Sequence, residues 1–224
     1  MRTLEKELEF KTLDFSKLQN AGFKKIGDSF LLKQNIFDDK FEMIVEISPE
    51  KQTSLLIDLE TNEEYSLVDV KSSTGEFVGR VRQEYEKALE KILERCAYTE
   101  IFKAKQSKEL ISYINKKYKD ELEFLWNDLP KTAIVRNKKN EKWYGILMTL
   151  KKSKLGIEGE DLVEVINVKY QKNETENVVD NIAVFPGYHM NKKSWISIKL
   201  DGTIDNKKLF NLVDNSYELS LKSK

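Results

Sequence analysis

His189 and Cys96 are the only histidine and the only cysteine in the chain, and they are the side chains that most readily suggest catalysis. His189 lies in the segment FPGYHMNKKSW, residues 185–195. An imidazole there could act as a general base, or donate a hydrogen bond to a phosphate near neutral pH. No nucleophile motif accompanies it, and no acidic residue stands at the spacing of a catalytic pair. We therefore expect His189 to hydrogen-bond to the backbone and hold its loop, in a protein without catalytic residues or enzymatic activity.

The sequence also predicts no metal and no cofactor. One histidine and one cysteine are too few for a classical zinc site. The nine glycines form neither a phosphate-binding loop nor a dinucleotide fingerprint. Cys96 falls on the apolar stripe of a predicted helix, where we expect a small core residue.

Basic side chains offer the other chemistry, which is contact with phosphates. A predicted hairpin has lysines and an arginine around its tip, with Trp143 and Tyr144 beside them, and more lysines follow later in the chain. The candidate DNA-binding residues are Arg136, Lys138, Lys139, Lys142, Lys151, Lys152, Lys154, Lys192 and Lys193. Such a hairpin could project as a wing that places cations on DNA phosphates. Basic hairpin tips are also commonly solvated loops, and the sequence leaves both interpretations open.

Charge is distributed unevenly in a chain whose formal net charge is zero. Residues 1–102 contain 15 Lys and Arg against 21 Asp and Glu, a net charge of −6. Residues 103–224 contain 23 against 17, a net charge of +6. Such asymmetry suggests two modules with different partners. The alternative function is therefore a protein-interaction module, whose acidic half recruits a protein partner or masks the basic half.

The predicted location is the cytoplasm. A single cysteine cannot form an internal disulfide, which suits a reducing compartment. The N-terminal segment lacks the apolar core of a signal peptide, and no apolar run approaches the roughly 18 residues of a membrane span. We therefore expect no membrane contact, while the oligomeric state stays open.

The first half is predicted to be an acidic α+β domain of residues 1–100. Its predicted elements are a short helix capped by Asp14, strands at 23–34, 41–48 and 53–59, and a helix at about 76–97. Phe77 and Cys96 stand near the two ends of the apolar stripe of that helix. The segment 98–106 is predicted to contain the boundary between the domains.

The second half, residues 103–224, is predicted to be another two-layer α+β domain, with an antiparallel sheet packed on helices. Its predicted elements are a helix capped by Ser107 and stopped at Leu129-Pro130, a hairpin of 133–136 and 143–148, strands at 163–170 and 195–200, and a final helix capped by Asp205. Within it, Pro186 and Gly187 are predicted to form a type II turn with a positive φ at the glycine. Tyr188, Met190 and Trp195 should then fill an interface between sheet and helix.

The same segment carries a resemblance to a known family. PGYHMNK followed by Trp195, a strand ending in Asp201-Gly202 and a helix that closes with NSYEL resemble the C-terminal signature of the MmcQ/YjbR family, over about residues 107–220. The motif residues are Pro186, Gly187, Tyr188, His189, Met190, Asn191, Lys192 and Trp195. Lys169 also stands where members often have a lysine, whereas Ser194 replaces a histidine found in many of them. The resemblance implies an α+β fold with an antiparallel sheet on helices, and DNA binding by analogy with a winged transcription-factor domain.

Overall fold

The computed structural model describes residues 3–70 and 72–222. The chain divides into two units, Met1–Ile101 and Phe102–Lys224. Each unit combines an antiparallel sheet with helices, so the predicted α+β class is confirmed. In the described part of the chain, no helix is long and apolar enough to cross a membrane.

The first unit is built on a five-stranded antiparallel sheet and one long helix. Its elements are α1 (Thr3–Glu7), β1 (Lys11–Leu13), β2 (Lys24–Ile26), β3 (Ser29–Ile36), β4 (Phe41–Ile47), β5 (Gln52–Asp58), β6 (Glu63–Glu64), α2 (Glu76–Cys96) and β7 (Ala97–Thr99). Strands β2 to β6 pair in chain order, and β1 pairs with β7 in a separate ladder. Helix α2 buries Val81, Tyr85, Leu89 and Ile92, whose spacing puts them on one helical face.

Several details of the first unit differ from the sequence prediction. The predicted strand 23–34 is a hairpin, because Gly27 takes a φ of +59° and turns the chain between β2 and β3. Phe77 is 49% exposed, although its ring packs edge-on against Phe37. Strand β7 extends to Thr99, inside the segment 98–106 that was predicted to contain the domain boundary, and the division between the units falls in that segment.

Two other predictions for the first unit are confirmed. The carboxylate of Asp14 accepts a hydrogen bond of 3.1 Å from the N–H of Ser16 and caps a short 3₁₀ helix. Cys96 is fully buried in the core, and its thiol donates to the carbonyl of Ile92. Burial raises the pKa of this thiol, as expected for a structural cysteine.

The second unit is a six-stranded antiparallel sheet with two helices. Its elements are α3 (Lys105–Tyr118), β8 (Leu122–Glu123), β9 (Thr132–Arg136), β10 (Trp143–Lys151), β11 (Leu162–Lys169), β12 (Val184–Pro186), β13 (Trp195–Lys199) and α4 (Asn206–Lys222). The strand order across the sheet is β12-β13-β11-β10-β9-β8. Helix α4 lies against β10 and β11 and buries Leu209, Val213 and Tyr217.

The start and the end of α3 were wrongly predicted. Ser107 does not cap the helix but lies buried within its first turn. The carboxylate of Glu164, in β11, instead accepts hydrogen bonds from the N–H groups of Lys103 and Ala104. The helix ends at Tyr118, well before Pro130, and Lys119 after it adopts a left-handed φ of +61°. Glu164 thus holds the backbone just ahead of the helix, and a contact supplied by a distant strand leaves no local sequence signal.

The final helix was predicted correctly. Asp205 accepts a hydrogen bond of 3.0 Å from the N–H of Lys208, which is the bond of an N-cap. Ile204 and Leu209 on either side of the cap are both buried, as a hydrophobic staple requires. The β9–β10 hairpin and the Asp201-Gly202 turn are also present, with Gly202 at a φ of +90°.

Candidate nucleic-acid interface

Gly187 is needed for close packing and not for a positive φ. It follows β12 directly, it is absent from the positive-φ residues, and its N–H donates to the carbonyl of Trp195 at 3.1 Å. A Cβ atom on Gly187 would lie 2.8 Å from that carbonyl oxygen and 2.9 Å from the Cβ of Trp195. The predicted type II turn is therefore wrong: the backbone continues the β12–β13 ladder by one residue, in a space that admits only glycine.

Two buried polar side chains hold the loop that follows Gly187. Ser197 Oγ accepts a hydrogen bond of 2.8 Å from the N–H of Tyr188 and donates one of 2.6 Å to Asn167 Oδ1. Asn167 Nδ2 completes the ring by donating to the carbonyl of Tyr188 at 2.8 Å. Both backbone groups of Tyr188 are thus paired with the sheet beneath it. Ser197 is itself fully buried.

His189 contributes to the loop through its backbone. It is exposed, and its φ of +54° lies in the left-handed region. Its ring meets the ring of Tyr188 edge-on at 4.2 Å between centroids. The predicted hydrogen bond to the backbone is wrong, because within residues 3–70 and 72–222 the imidazole makes no hydrogen bond.

The hairpin tip, residues 137–142, is anchored and does not project as a wing. Asn137 is buried, and its Nδ2 donates to Ser220 Oγ at 3.0 Å. Asn140 Nδ2 donates to the carbonyl of Ser220 at 2.8 Å. The Lys138 ammonium donates to the carbonyl of Lys119, at the end of α3. The tip is therefore fixed against the ends of both helices, and the prediction of a free wing is wrong because its asparagine amides have tertiary partners.

Three of the predicted DNA-binding cations form ion pairs with carboxylates of the described chain. Arg136 forms an ion pair of 3.0 Å with Glu123 and donates to the carbonyl of Glu141. The ammonium groups of two lysines at the other end of β10 are also paired, Lys151 with Glu160 at 2.7 Å and Lys152 with Asp161 at 2.9 Å. The ammonium of Lys151 lowers the pKa of the Glu160 carboxyl, and Lys154 lies close enough to lower it slightly further.

The nine predicted cations do not form one surface. Trp143 and Lys151 stand at the two ends of the nine-residue strand β10, about 26 Å apart at roughly 3.3 Å per residue. Lys151, Lys152 and Lys154 are therefore distant from the hairpin tip. Lys192 and Lys193 lie on the exposed loop before β13 and line a separate cleft of about 520 Å³. Lys139 is exposed at the tip, while Lys142 is half-buried beside it.

Lys169 is the cation that the structure singles out. It ends β11, and because Val168 pairs with Gly145 it lies at the same end of the sheet as the hairpin tip. Its ammonium is half-buried and lies 5.7 Å from the centre of the Trp195 ring, a cation–π distance. Burial, with the charge of Lys142 as the second cause, lowers the pKa of this ammonium. Within the described chain, no carboxylate forms an ion pair with it.

Lys169 lies in a cleft of about 440 Å³ where β11 ends and β13 begins, which we call the Lys169 cleft. It is lined by Lys169, Tyr170, Gln171, Lys172, Ser194, Trp195, Leu219 and Lys222. Three of these residues are lysines, and no carboxylate belongs to the described lining. Lys172 and Lys222 were not among the predicted site residues, and Lys169 entered only through the family resemblance. A lysine at the end of a mostly apolar strand was the local signal.

The tryptophans form a cluster next to this cleft. Trp126, Trp143 and Trp195 pack around Ile134 and Ile146, and the rings of Trp126 and Trp143 meet edge-on at 5.7 Å. A β-bulge between Trp143 and Gly145 shifts the alternation of side chains along β10. Trp143 therefore lies on the same face of the sheet as Ile134 and Ile146, while Tyr144 lies on the face covered by the helices and contacts Tyr217.

Comparison with known proteins places the second unit in a family. The YjbR family model matches residues 115–219. A crystal structure of a protein from Pseudomonas syringae is 34% identical, covers 50% of this chain and 97% of its own, and has a TM-score of 0.49. A solution structure from Pseudomonas syringae is 33% identical, covers 51% of this chain and 91% of its own, and has a TM-score of 0.47. A crystal structure of a DUF419 domain protein from Deinococcus radiodurans is 22% identical, covers 54% of this chain and 81% of its own, and has a TM-score of 0.42.

The chain belongs to the YjbR family through its second unit, which confirms the resemblance seen in the motif. The comparison with curated proteins gives no significant match.

Proposed function

We propose that this protein binds DNA in the cytoplasm without catalysing a reaction on it, through lysines gathered at the Lys169 end of the second unit. The single observation that supports this most is the Lys169 ammonium, half-buried and without a carboxylate partner in the described chain. A cation in such a place is costly to keep unless an anion from outside the protein approaches it.

The arrangement of charge around the unit supports the same site. Arg136, Lys151 and Lys152 are satisfied by carboxylates, so their charges are largely compensated. Lys172 and Lys222, on the walls of the Lys169 cleft, are exposed and have no such partner among the described residues. A phosphate backbone passing this end of the sheet would meet uncompensated positive charge there.

In this proposal the hairpin does not project as a wing but positions two further lysines. Its anchored tip holds Lys139 and Lys142 close to the Lys169 end of the sheet. These two lysines would extend the phosphate-contacting surface beyond the cleft. Phosphate contacts of this kind fix the position of a duplex and do not read its sequence.

Salt-dependent binding of the full chain to a duplex tests the proposal. The double variant Lys169→Gln with Lys172→Gln should make the plot of log affinity against log salt shallower by up to about two contacts, each worth a slope of about −0.9. The matched control is Lys151→Gln with Lys152→Gln, which removes two lysines already paired with carboxylates. We expect the control to change the slope much less.

Two results would overturn the proposal. One is the absence of duplex binding by the folded wild-type chain at low salt, which would favour the alternative of a protein-interaction module. The other is an equal effect of the two double variants, since this would mean that only overall charge matters.

A further inference from the structure

We propose that the Lys169 cleft binds a terminal phosphate monoester, such as the phosphorylated end of a DNA strand. The assignment to a strand end rests on the proposed function, whereas the assignment to a phosphate monoester rests on the cleft itself. An interior phosphodiester carries one charge, while a monoester carries about 1.5 to 2 negative charges at neutral pH and offers three acceptor oxygens.

The donors of the cleft suit such a group. Lys169, Lys172 and Lys222 all line this one small cleft, and each lysine carries an ammonium group that can bond to phosphate oxygens. Ser194 adds a hydroxyl, and its side chain has no hydrogen-bond partner among the described residues. Charge-assisted hydrogen bonds from ammonium groups to phosphate oxygens are stronger than bonds between neutral groups.

The walls of the cleft are already in place. The N–H of Tyr170 donates to the carbonyl of Ser194 at 2.9 Å, which joins the two loops that face each other. The N–H of Trp195 donates to the carbonyl of Asn191 at 2.9 Å, and the indole is only 9% exposed. Because the ammonium of Lys169 lies over this fixed ring, little conformational entropy would be lost on binding.

The size of the cleft limits what can enter. Its volume of about 440 Å³ falls at the small end of the range of ligand pockets, roughly 300–1,000 Å³. That space holds a phosphate with its attached sugar and is too small for a duplex. A strand end can place its terminal phosphate here, while interior phosphates contact the exposed lysines outside.

Calorimetric titration of the full chain with matched oligonucleotides provides the test. Three strands of one sequence would carry a 5′-phosphate, a 3′-phosphate or no phosphate, and inorganic phosphate and a nucleoside monophosphate would be further probes. We expect at least one phosphorylated strand to bind about tenfold more tightly than the unphosphorylated strand. The ratio should fall close to one in Lys169→Gln and persist in Lys151→Gln. Lys172→Gln with Lys222→Gln, at two exposed positions, should lower the ratio without affecting folding.

Chemical modification gives an independent measurement. The lowered pKa should make Lys169 react with an amine-directed reagent faster than exposed lysines do near neutral pH. Bound phosphate would both raise this pKa and cover the amine, so a nucleoside monophosphate should slow the labelling of Lys169 selectively, as measured by peptide mass spectrometry.

The outcomes separate the two proposals. Equal binding of phosphorylated and unphosphorylated strands by the wild type would overturn the monoester site while leaving DNA binding intact. Failure to bind any strand, together with Lys169-dependent binding of the nucleoside monophosphate, would overturn DNA binding and support the site. Absence of binding and of protection with every probe would overturn both.

Discussion

Asn167 holds the backbone of Tyr188 in place, because its side-chain amide donates to the Tyr188 carbonyl at 2.8 Å. The same amide accepts from Ser197, which in turn accepts from the N–H of Tyr188. The most recognisable segment of the family motif is therefore fastened by two residues that lie outside it in the sequence. The His189 segment owes its position to β11 and β13 more than to its own turn.

Asn167→Ala should lower the free energy of unfolding by about 2–4 kcal/mol, because it removes the donor to the part-buried Tyr188 carbonyl and the acceptor of the buried Ser197 hydroxyl. The matched control is Asn211→Ala, on the exposed side of α4, which should change stability by no more than about 0.5 kcal/mol. Chemical denaturation followed by far-ultraviolet circular dichroism measures both. Similar losses in the two variants would mean that the hydrogen-bonded ring does not stabilise the fold.

Gly187→Ala should destabilise the protein by about 1–3 kcal/mol, because the added methyl group would overlap the backbone and Cβ of Trp195. Gly79→Ala is the comparison variant. Gly79 lies inside α2, and a methyl group added there would have no neighbouring atom within 4 Å, so this change should stabilise by up to about 1 kcal/mol. Scanning calorimetry would record the two shifts. An unchanged melting temperature for Gly187→Ala would show that β13 adjusts to the extra atom.

His189→Gly should be at least as stable as the wild type, and more stable than His189→Ala by up to about 1 kcal/mol. The reason is the left-handed φ of +54°, which glycine adopts without a steric penalty. Chemical denaturation of the three proteins side by side gives the order. If both variants lose more than about 2 kcal/mol, the ring contact with Tyr188 is the stabilising feature and the backbone argument fails.

Asp214 joins α3 to α4 and should make stability depend on pH. Partial burial tends to raise its pKa, but hydrogen bonds from Lys117, Tyr118 and Tyr113 prevail and hold the pKa below the usual 3.8. A lowered folded-state pKa means that the stabilisation is present above the unfolded value and is lost as the pH falls through the folded one. Asp214→Asn should therefore cost about 1.5–3 kcal/mol at neutral pH, and this difference should shrink below about pH 4.

The exposed carboxylate of Asp128 supplies the control for this experiment. Asp128→Asn should leave the pH profile of unfolding close to that of the wild type. A cost of Asp214→Asn that stays constant on acidification would show that the carboxylate is needed for its shape and that its ionisation plays no part.

Features that depend on nearby residues were predictable from the sequence. The two mainly apolar runs on either side of Asn137 and Asn140 predicted the β9–β10 hairpin, and Asp205 predicted the start of α4. The sequence could not show that the amides of the same two asparagines bond to Ser220, about 80 positions away. That tertiary contact is what turns a predicted wing into an anchored loop.

The candidate site illustrates the same division. The basic segments were visible in the sequence. Which of their charges remain uncompensated depends on ion pairs with Glu123, Glu160 and Asp161, which only the fold brings close. Lys169 was not predicted as a site residue, because in the sequence it is a single lysine after a mostly apolar strand. Its importance comes from Lys142 and Trp195, which only the strand pairing brings beside it.

The tryptophan cluster gives the chain a built-in optical label. Trp126, Trp143 and Trp195 are all the tryptophans present, and all three belong to the second unit. Indole emission therefore records the unfolding of that unit alone, whereas the far-ultraviolet signal records both. If the two signals trace different unfolding curves, the units unfold separately; if the curves coincide, unfolding of the whole chain is cooperative.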